Sequence, residues 1–346
     1  MTVPNTTLSI EPVDPDDGAA YDDFYDVYLA AERAGGEDVA SPFMREEMRV
    51  LLQERPRHRR ADAFVARLDG RVVASGRLEM PLLDNRDTAE LAVHVAPQDR
   101  RHGHGRALLA ELEREAHDRG RSVLQALVAW RYEAGPDGAG ESGAEFARSA
   151  GYELGLADVK RRLALPVEEG LLATLAAEAA PHHAAHELRS WVGPVPDDLA
   201  ESWMRLNSTL ITEAPAGEMD YEPETADVGV LRDREAVAAR QGRTKYNTVA
   251  LDDSGEVVAY TDLATTVHEP GRAYQWGTLV RRDVRGRRLG LAVKVANLQL
   301  LARERPDITE LTTYNAEVNA HMVGVNDRLG FAPIGRLGEF QKRLGS

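Results

Sequence analysis

Two stretches rich in arginine and glycine lie at matching places in the two halves of the chain. Each follows a segment with the pattern of a strand and opens a segment with the pattern of a helix. Phosphate groups bind well at a helix N-terminus, where backbone N–H groups are free and the helix dipole is positive. Small residues let the backbone approach the phosphate, and arginines add charge-assisted hydrogen bonds. Both stretches fit Arg-x-x-Gly-x-(Gly/Ala), through Arg100, Gly103 and Gly105 in the first half and Arg287, Gly290 and Ala292 in the second.

We therefore expect a phosphate-binding loop in each half. Two other nucleotide-binding loops do not fit, since neither stretch continues as Gly-Lys-(Ser/Thr) and neither half shows Gly-x-Gly-x-x-Gly after its first strand. The duplication strengthens the prediction, because a single loop of arginine and glycine at a helix start is common in proteins.

The elements around the two loops also repeat in order. Each half reads as a strand, helices, a hairpin, a further strand, the loop with its helix, and a closing strand, helix and strand. The first hairpin turns at Asp69-Gly70. We predict an α/β fold with two tandem domains, each a twisted mixed sheet flanked by helices. The domains are expected at residues 1–165 and 186–346, with a helical linker at 166–185.

The composition limits the classes of function. A chain of 346 residues that is 43% hydrophobic and 29% charged suits two globular domains. The formal charge of −15 argues against nucleic-acid binding and favours cationic small molecules such as amines. The absence of cysteine excludes disulfides and a cysteine nucleophile, and the histidines of residues 182–186 lack carboxylate partners for a metal site. With no secretory signal and no membrane-spanning run in the pattern, we expect a cytoplasmic protein that is a monomer or a homodimer.

The loop pattern resembles the acetyl-CoA loop of the GNAT superfamily of N-acetyltransferases. Two further marks, Ala150-Gly151-Tyr152 and Leu329-Gly330-Phe331, resemble the "LGF" turn that leads into the last strands of that superfamily. The resemblance covers nearly the whole chain as two domains, as in mycothiol synthase-like tandem enzymes. It implies acetyl-CoA as the cofactor.

The resemblance also implies a splayed, bulged strand before each loop, whose backbone N–H groups hold the acetyl carbonyl. Such donors stabilise the oxyanion that forms during acyl transfer. In the first domain the strand and loop residues implied to bind the cofactor are Val93, His94, Val95, Arg100, Arg101, His102, Gly103, His104, Gly105 and Arg106. In the second domain they are Leu279, Val280, Arg287, Arg288, Leu289, Gly290, Leu291 and Ala292, with Asn315 and Asn319 as further CoA-binding residues.

Glu90 is the first candidate for the base that deprotonates the attacking amine, because several family members carry a glutamate at this strand position. His94, on the same strand, is the second candidate, since histidine is a common general base at neutral pH. The second domain has no carboxylate at the place of Glu90, and Asp262 on the neighbouring strand is a weak substitute. Many family members use a tyrosine four residues before the glycine of "LGF" to protonate the CoA thiolate. Here those positions are Ala147 and Asn326.

The expected function is direct transfer of acetyl from acetyl-CoA to a primary amine of a small, cationic acceptor. One alternative is a non-catalytic acyl-CoA sensor, which the missing tyrosines favour. Another is an acyltransferase that uses a longer acyl-CoA. The sequence leaves open which domain is active.

Overall fold

The computed structural model describes residues 8–345, and it divides into two compact units. Unit 1 comprises the chain up to Ala157, residues 217–219 and the chain from Gly335 onward. Unit 2 comprises Asp158–Ala216 and Asp220–Ile334.

The elements of the first half, in chain order, are β1 (Leu8–Val13), α1 (Gly18–Arg33), α2 (Arg45–Gln53), β2 (Arg59–Leu68), β3 (Arg71–Pro81), β4 (Thr88–Val95), α3 (His104–Asp118), β5 (Val123–Arg131), α4 (Ser142–Ser149) and β6 (Glu153–Ala164). Those of the second half are α5 (Leu171–Ala179), β7 (Glu187–Val192), α6 (Asp197–Asn207), α7 (Leu210–Glu213), α8 (Val228–Arg240), β8 (Arg243–Leu251), β9 (Val257–Thr266), β10 (Arg272–Val280), α9 (Leu289–Glu304), β11 (Glu310–Ala316), α10 (Ala320–Leu329) and β12 (Ala332–Arg343).

The two units have the same sheet topology. Unit 1 orders its strands β1-β2-β3-β4-β5-β12, and unit 2 orders them β7-β8-β9-β10-β11-β6. In each, the fourth and fifth strands (β4 with β5, β10 with β11) pair in parallel and the other pairs are antiparallel. The predicted α/β fold with mixed sheets is therefore confirmed.

Helices cover both faces of the unit 1 sheet. On one face, Tyr21 and Phe24 of α1 pack against the small residues of β2, and on the other, Leu108 and Leu112 of α3 pack against Leu78 of β3. All four helix side chains are fully buried. The apolar spacing on each helix, at intervals of three or four residues, produces the stripe that faces the sheet.

Two strands lie in different units from those expected for them. Residues 335–343 pair antiparallel with β5 of unit 1, and residues 158–164 pair antiparallel with β11 of unit 2. The expected boundaries at 165 and 186 follow chain order, whereas these strands follow backbone hydrogen bonding. The segment 166–185 does contain a helix, α5, whose Leu175 is buried in the core of unit 2.

The helices found among residues 8–345 include none with both the length and the apolar character needed to cross a membrane.

The contact of β12 with Trp130 gives a test of the strand assignment. A β-carbon at Gly338 would overlap atoms Cη2 and Cζ3 of the buried Trp130 ring. We expect Gly338→Ala to lower the free energy of unfolding by about 1–3 kcal/mol, measured by urea denaturation. At Gly18 a β-carbon meets nothing within 4 Å, so Gly18→Ala should change stability by no more than about 0.5 kcal/mol. Equal effects of the two substitutions would contradict the packing of β12 on Trp130.

Candidate functional site

In unit 1, strands β4 and β5 separate after a short parallel contact. They pair at Thr88, Ala89 and Glu90 of β4, opposite residues 123–125 of β5, and within the described chain they pair no further. Beyond Glu90 a cleft therefore opens between two strands that remain in the same sheet.

The backbone of β4 presents hydrogen-bond donors to this cleft. The N–H of Ala96 donates to the Val73 carbonyl on the β3 side (3.1 Å). Because successive N–H groups of a strand alternate between its two edges, those of Val93 and Val95 point to the side where β5 has separated. The predicted splay is present, but β4 pairs with β3 without a bulge. Donors at this place can hold a carbonyl oxygen that gains negative charge.

A cavity of about 510 Å³ occupies the cleft, with walls from α1, β4, α3, β5 and α4. His94 and Glu32 contribute its polar wall, and Leu109, Val128 and Ala147 contribute to its apolar wall.

His94 is paired with Glu32 in this cavity. Its Nε2 lies 2.9 Å from Glu32 Oε1, and its ring packs edge-on against Tyr28 with centroids 4.9 Å apart. Burial raises the pKa of Glu32, but hydrogen bonds from His94 and the Ser41 backbone, together with nearby positive charge, outweigh it and keep the pKa below its ordinary value. An ionised Glu32 accepts the proton of Nε2, which leaves Nδ1 of His94 as the proton acceptor.

Sequence reasoning missed Glu32 because it lies 62 residues from His94. The spacing of residues on α1 does give one signal of Glu32. Glu32 follows the buried Tyr28 by four residues, so a carboxylate stands on the face of α1 that otherwise carries aromatic side chains.

Glu90 lies elsewhere. It does not contribute to the walls of the cavity, and its Oε1 accepts a hydrogen bond from Arg77 (2.7 Å). Burial raises the pKa of Glu90, and the nearby carboxylates of Glu79 and Glu339 add to the rise against the opposing charge of Arg77. Four residues of strand, about 13 Å, separate Glu90 from His94. Of the two candidates for the base, therefore, only His94 lies in the cavity wall.

The loop before α3 has the backbone of an anion-binding site. Gly103 precedes the helix with a left-handed φ of 89°. The first intrahelical bond runs from the Ala107 N–H to the Gly103 carbonyl (3.0 Å), so the N–H groups of residues 104–106 remain available to a ligand. A β-carbon at Gly105 would lie 3.0 Å from Val95 Cγ2, so a larger residue would press the helix away from β4.

The side chains of this loop divide into two groups. Arg100 donates to the carbonyls of Val95 and Ala31 (3.3 Å each) and so fastens the loop to β4 and α1. Arg101, His102 and Arg106 are exposed, and the His102 ring stacks on that of His104 with centroids 5.9 Å apart. We expect the exposed cations, rather than Arg100, to meet phosphate oxygens.

The second loop is shifted by two residues from its predicted alignment. Left-handed residues occur at Gly286 and Arg288, at the places of Arg101 and Gly103 in the first loop. Arg288 precedes the first residue of α9 as Gly103 precedes that of α3. The counterpart of Arg100 is Arg285, whose Nε donates to the Val280 carbonyl (3.1 Å).

The predicted triad of Arg287, Gly290 and Ala292 is therefore wrong as an alignment. The matching triad is Arg285, Arg288 and Gly290. Ala292, like Leu291, is buried inside α9 rather than exposed at the loop. Counting five residues from the last valine of the preceding strand would have found Arg285.

A second cavity, of about 470 Å³, lies over this loop in unit 2. Leu279 and Val280 of β10, Leu289 and Gly290 of α9, and Asn319 before α10 contribute to its walls. By the same alternation as in β4, the N–H groups of Thr278 and Val280 point away from β9, because that of Arg281 bonds the Val258 carbonyl (2.8 Å).

Carboxylates neutralise the arginines of the second loop. Glu213 Oε2 accepts hydrogen bonds from Arg282 and Arg285 (2.7 Å each) and faces the cavity. Glu178 bonds Arg288 and Arg328. A phosphate bound here would meet arginines that already have anionic partners.

Comparison with known proteins agrees with this geometry. Residues 21–131 match the Acetyltransferase (GNAT) family model. A tandem GNAT protein from the clavulanic acid biosynthesis pathway, solved without AcCoA, is 29% identical with a TM-score of 0.80, covering 98% of this chain and 99% of that one. Residues 21–131 therefore match a GNAT domain, and the chain as a whole is similar to a tandem GNAT protein.

Two more distant structures share the GNAT fold. A GCN5-related N-acetyltransferase from Sphaerobacter thermophilus is 17% identical (TM-score 0.66), covering 100% of this chain and 98% of that one. A putative acetyltransferase from Pyrococcus horikoshii is 13% identical (TM-score 0.55), covering 100% and 93%. No curated protein sequence matches the chain significantly.

The GNAT tyrosine positions can now be located. The Tyr152 N–H bonds the Ala147 carbonyl, and the Phe331 N–H bonds the Asn326 carbonyl, at 3.1 Å in both units. Ala147 and Asn326 are therefore equivalent, and neither GNAT unit has a phenol there.

The bulge predicted before each loop occurs in β10, between Gln275 and Gly277. Asp262, the weak substitute for a base, accepts a hydrogen bond from the Gly277 N–H (2.8 Å) and pairs with Lys245. These contacts with Gly277 and Lys245 stabilise the bulge, so Asp262 has a structural role here.

Asn326 belongs to a buried polar chain in unit 2. Lys294 Nζ donates to Asn326 Oδ1 (2.8 Å), and Asn326 Nδ2 donates to Asn315 Oδ1 (2.5 Å). Asn319 instead caps α10 by accepting a hydrogen bond from the Met322 N–H (3.3 Å). Burial lowers the pKa of Lys294 from 10.5 to about 7.

This burial predicts a pH dependence of stability. Between pH 7 and 10 the unfolded chain binds a proton at Lys294 that the folded chain releases, so the free energy of unfolding rises with pH. The slope is at most about 1.4 kcal/mol per pH unit. We expect the stability of Lys294→Met, relative to the unsubstituted chain, to fall by roughly 2–3 kcal/mol from pH 7 to 9 in urea denaturation.

Lys342→Met is the control, since Lys342 is partly exposed and paired with Glu113 at 2.8 Å. The free energy of unfolding of Lys342→Met should change with pH as that of the unsubstituted chain does. If the free energy of unfolding of Lys294→Met also changed with pH as that of the unsubstituted chain does, the result would contradict the burial of a neutral lysine.

Proposed function

We propose that unit 1 transfers acetyl from acetyl-CoA to a primary amine of a small, cationic acceptor. The observation that carries the proposal is the cavity where His94, held by Glu32, lies beside the free N–H donors of Val93 and Val95. The match of residues 21–131 to the GNAT family model supports an acyl-CoA donor for unit 1.

The loop fits the phosphates of the donor. The N–H groups of residues 104–106 and the exposed Arg101 and Arg106 would bind them. Bound acetyl-CoA supplies the thioester carbonyl that an amine attacks.

The residues of the cavity then have distinct roles. Nδ1 of His94 takes the proton of the amine, and Glu32 stabilises the resulting imidazolium. The N–H groups of Val93 and Val95 stabilise the oxyanion while the C–N bond forms and the C–S bond breaks. CoA leaves as the thiol, with the proton that the amine gave up. Because Ala147 offers no proton, we expect His94 or water to return it to sulfur.

Charge supports a cationic acceptor. Glu32, Glu79 and Glu90 lie on the same side of unit 1 as His94, and the net charge of the chain is −15. The relative from clavulanic acid biosynthesis supports a small molecule of biosynthesis as the acceptor.

A longer acyl donor is the second candidate. Ala147 and Gly143 are small residues in the wall of the cavity, beside the apolar Leu109 and Val128. Comparison of acetyl-CoA with longer acyl-CoA thioesters as donors distinguishes the two candidates by kcat/KM.

Thiol release from acetyl-CoA with a panel of primary amines tests the proposal. We expect His94→Asn to lower kcat/KM by roughly 10²–10⁴-fold, the usual contribution of a general base. Glu90→Gln, at a carboxylate outside the cavity wall, should change kcat/KM by less than about tenfold, because it removes charge near the acceptor without removing the base.

A large loss in Glu90→Gln with little effect of His94→Asn would restore Glu90 as the base. Tight CoA binding without turnover of any acyl donor would instead support a sensor.

A further inference from the structure

The two units differ at the inner end of their cavities. Four equivalent positions carry apolar or aromatic side chains in unit 1 and mostly polar ones in unit 2. The pairs are Leu109 and Lys294, Val128 and Asn315, Ala147 and Asn326, and Tyr152 and Phe331. All four residues of unit 1 contribute to the wall of its cavity, whereas none of the four in unit 2 contributes to the second cavity.

Backbone geometry establishes these pairs. Leu109 and Lys294 are each the sixth residue of the helix that follows the loop. Val128 and Asn315 each lie three residues beyond the last parallel pair of their strand. The equivalence of Ala147 and Asn326 follows from the 3.1 Å hydrogen bond described above.

The Lys294–Asn326 hydrogen bond lies behind the wall of the second cavity, in the position that the inner end of the cavity occupies in unit 1. Gly290 and Met322 are part of the cavity wall. Lys294 and Asn326 each follow one of them by four residues, and so lie one turn further along the same helix face. The side chains of Lys294 and Asn326 are at most 2% exposed and are joined at 2.8 Å. The space that Leu109 and Ala147 leave open in unit 1 is filled here.

The outer part of the second cavity keeps the features of a phosphate site. The first intrahelical bond of α9 runs from the Ala292 N–H to the Arg288 carbonyl (3.0 Å), which leaves the N–H groups of residues 289–291 available. Arg285 and Arg288 contribute to the cavity wall. A CoA molecule can therefore be held by its phosphates in this outer part of the cavity.

We propose that unit 2 binds free coenzyme A and excludes acyl-CoA, because the Lys294–Asn326 pair fills the space that Leu109 and Ala147 leave open in unit 1. An acyl group needs room beyond the sulfur, and the Lys294–Asn326 pair occupies that room. A free thiol needs no such room. The inference rests on the proposed function, in which free CoA is the product released by unit 1.

Calorimetric titration of the full chain with CoA and with acetyl-CoA tests this, in the absence of an acceptor. We expect two CoA molecules per chain and one acetyl-CoA molecule per chain. Lys294→Leu combined with Asn326→Ala places the residues of unit 1 in unit 2, and it should allow a second acetyl-CoA to bind. Lys342→Met is the control, and its two stoichiometries should match those of the unsubstituted chain.

Two acetyl-CoA molecules per unsubstituted chain would overturn the inference, as would a single CoA site. Both results come from the unsubstituted chain, so the test stands even if the double substitution does not fold. His94→Asn separates this inference from the proposed function. It should lower kcat/KM as described above and still bind two CoA molecules and one acetyl-CoA molecule per chain. Two acetyl-CoA molecules bound to this variant would overturn the inference on unit 2, whatever its activity.

Discussion

Two parallel strands that stop pairing after three residues leave backbone donors that the sheet no longer satisfies. In unit 1 these donors are the N–H groups of Val93 and Val95, and the cavity lies where β5 has moved away from them. Unpaired N–H groups inside a protein are costly unless a ligand or water accepts their hydrogen bonds. Helices pack on both faces of this sheet, and the donors are in place without a ligand. This preorganisation is what makes backbone donors effective in acyl transfer.

Both units have backbone donors left free where two parallel strands separate, but the side chains around these donors differ. Both have the short parallel contact, the left-handed residues of the loop and the turn after the fourth helix. In unit 1, His94 and Glu32 lie beside the donors. In unit 2, Lys294, Asn315 and Asn326 form a buried chain of hydrogen bonds instead. On the proposals made above, each unit keeps a phosphate site, and the side chains near the sulfur end of the ligand differ. A tandem fold can divide donor use and product binding in this way without altering its backbone.

Local features of the structure could be predicted from the sequence, and features that depend on distant segments could not. The strand, loop and helix around Gly103 are adjacent in the chain, so the first loop was predicted correctly as an element. The second loop was misaligned by two residues because Arg288 has the left-handed φ where the first loop has glycine. The partner of His94 comes from α1, and the partner of β5 comes from the C-terminal end of the chain. Glu90 and His94 share a strand face, and only the place where β5 separates favours one of them.

The most direct measurement is a crystal structure of the full chain with acetyl-CoA at one molar equivalent. The account predicts acetyl-CoA in unit 1, with its acetyl oxygen within hydrogen-bonding distance, about 3 Å, of the Val93 or Val95 N–H, and with His94 facing the carbonyl carbon. Acetyl-CoA bound in unit 2, or bound in unit 1 with its thioester away from His94, would contradict it.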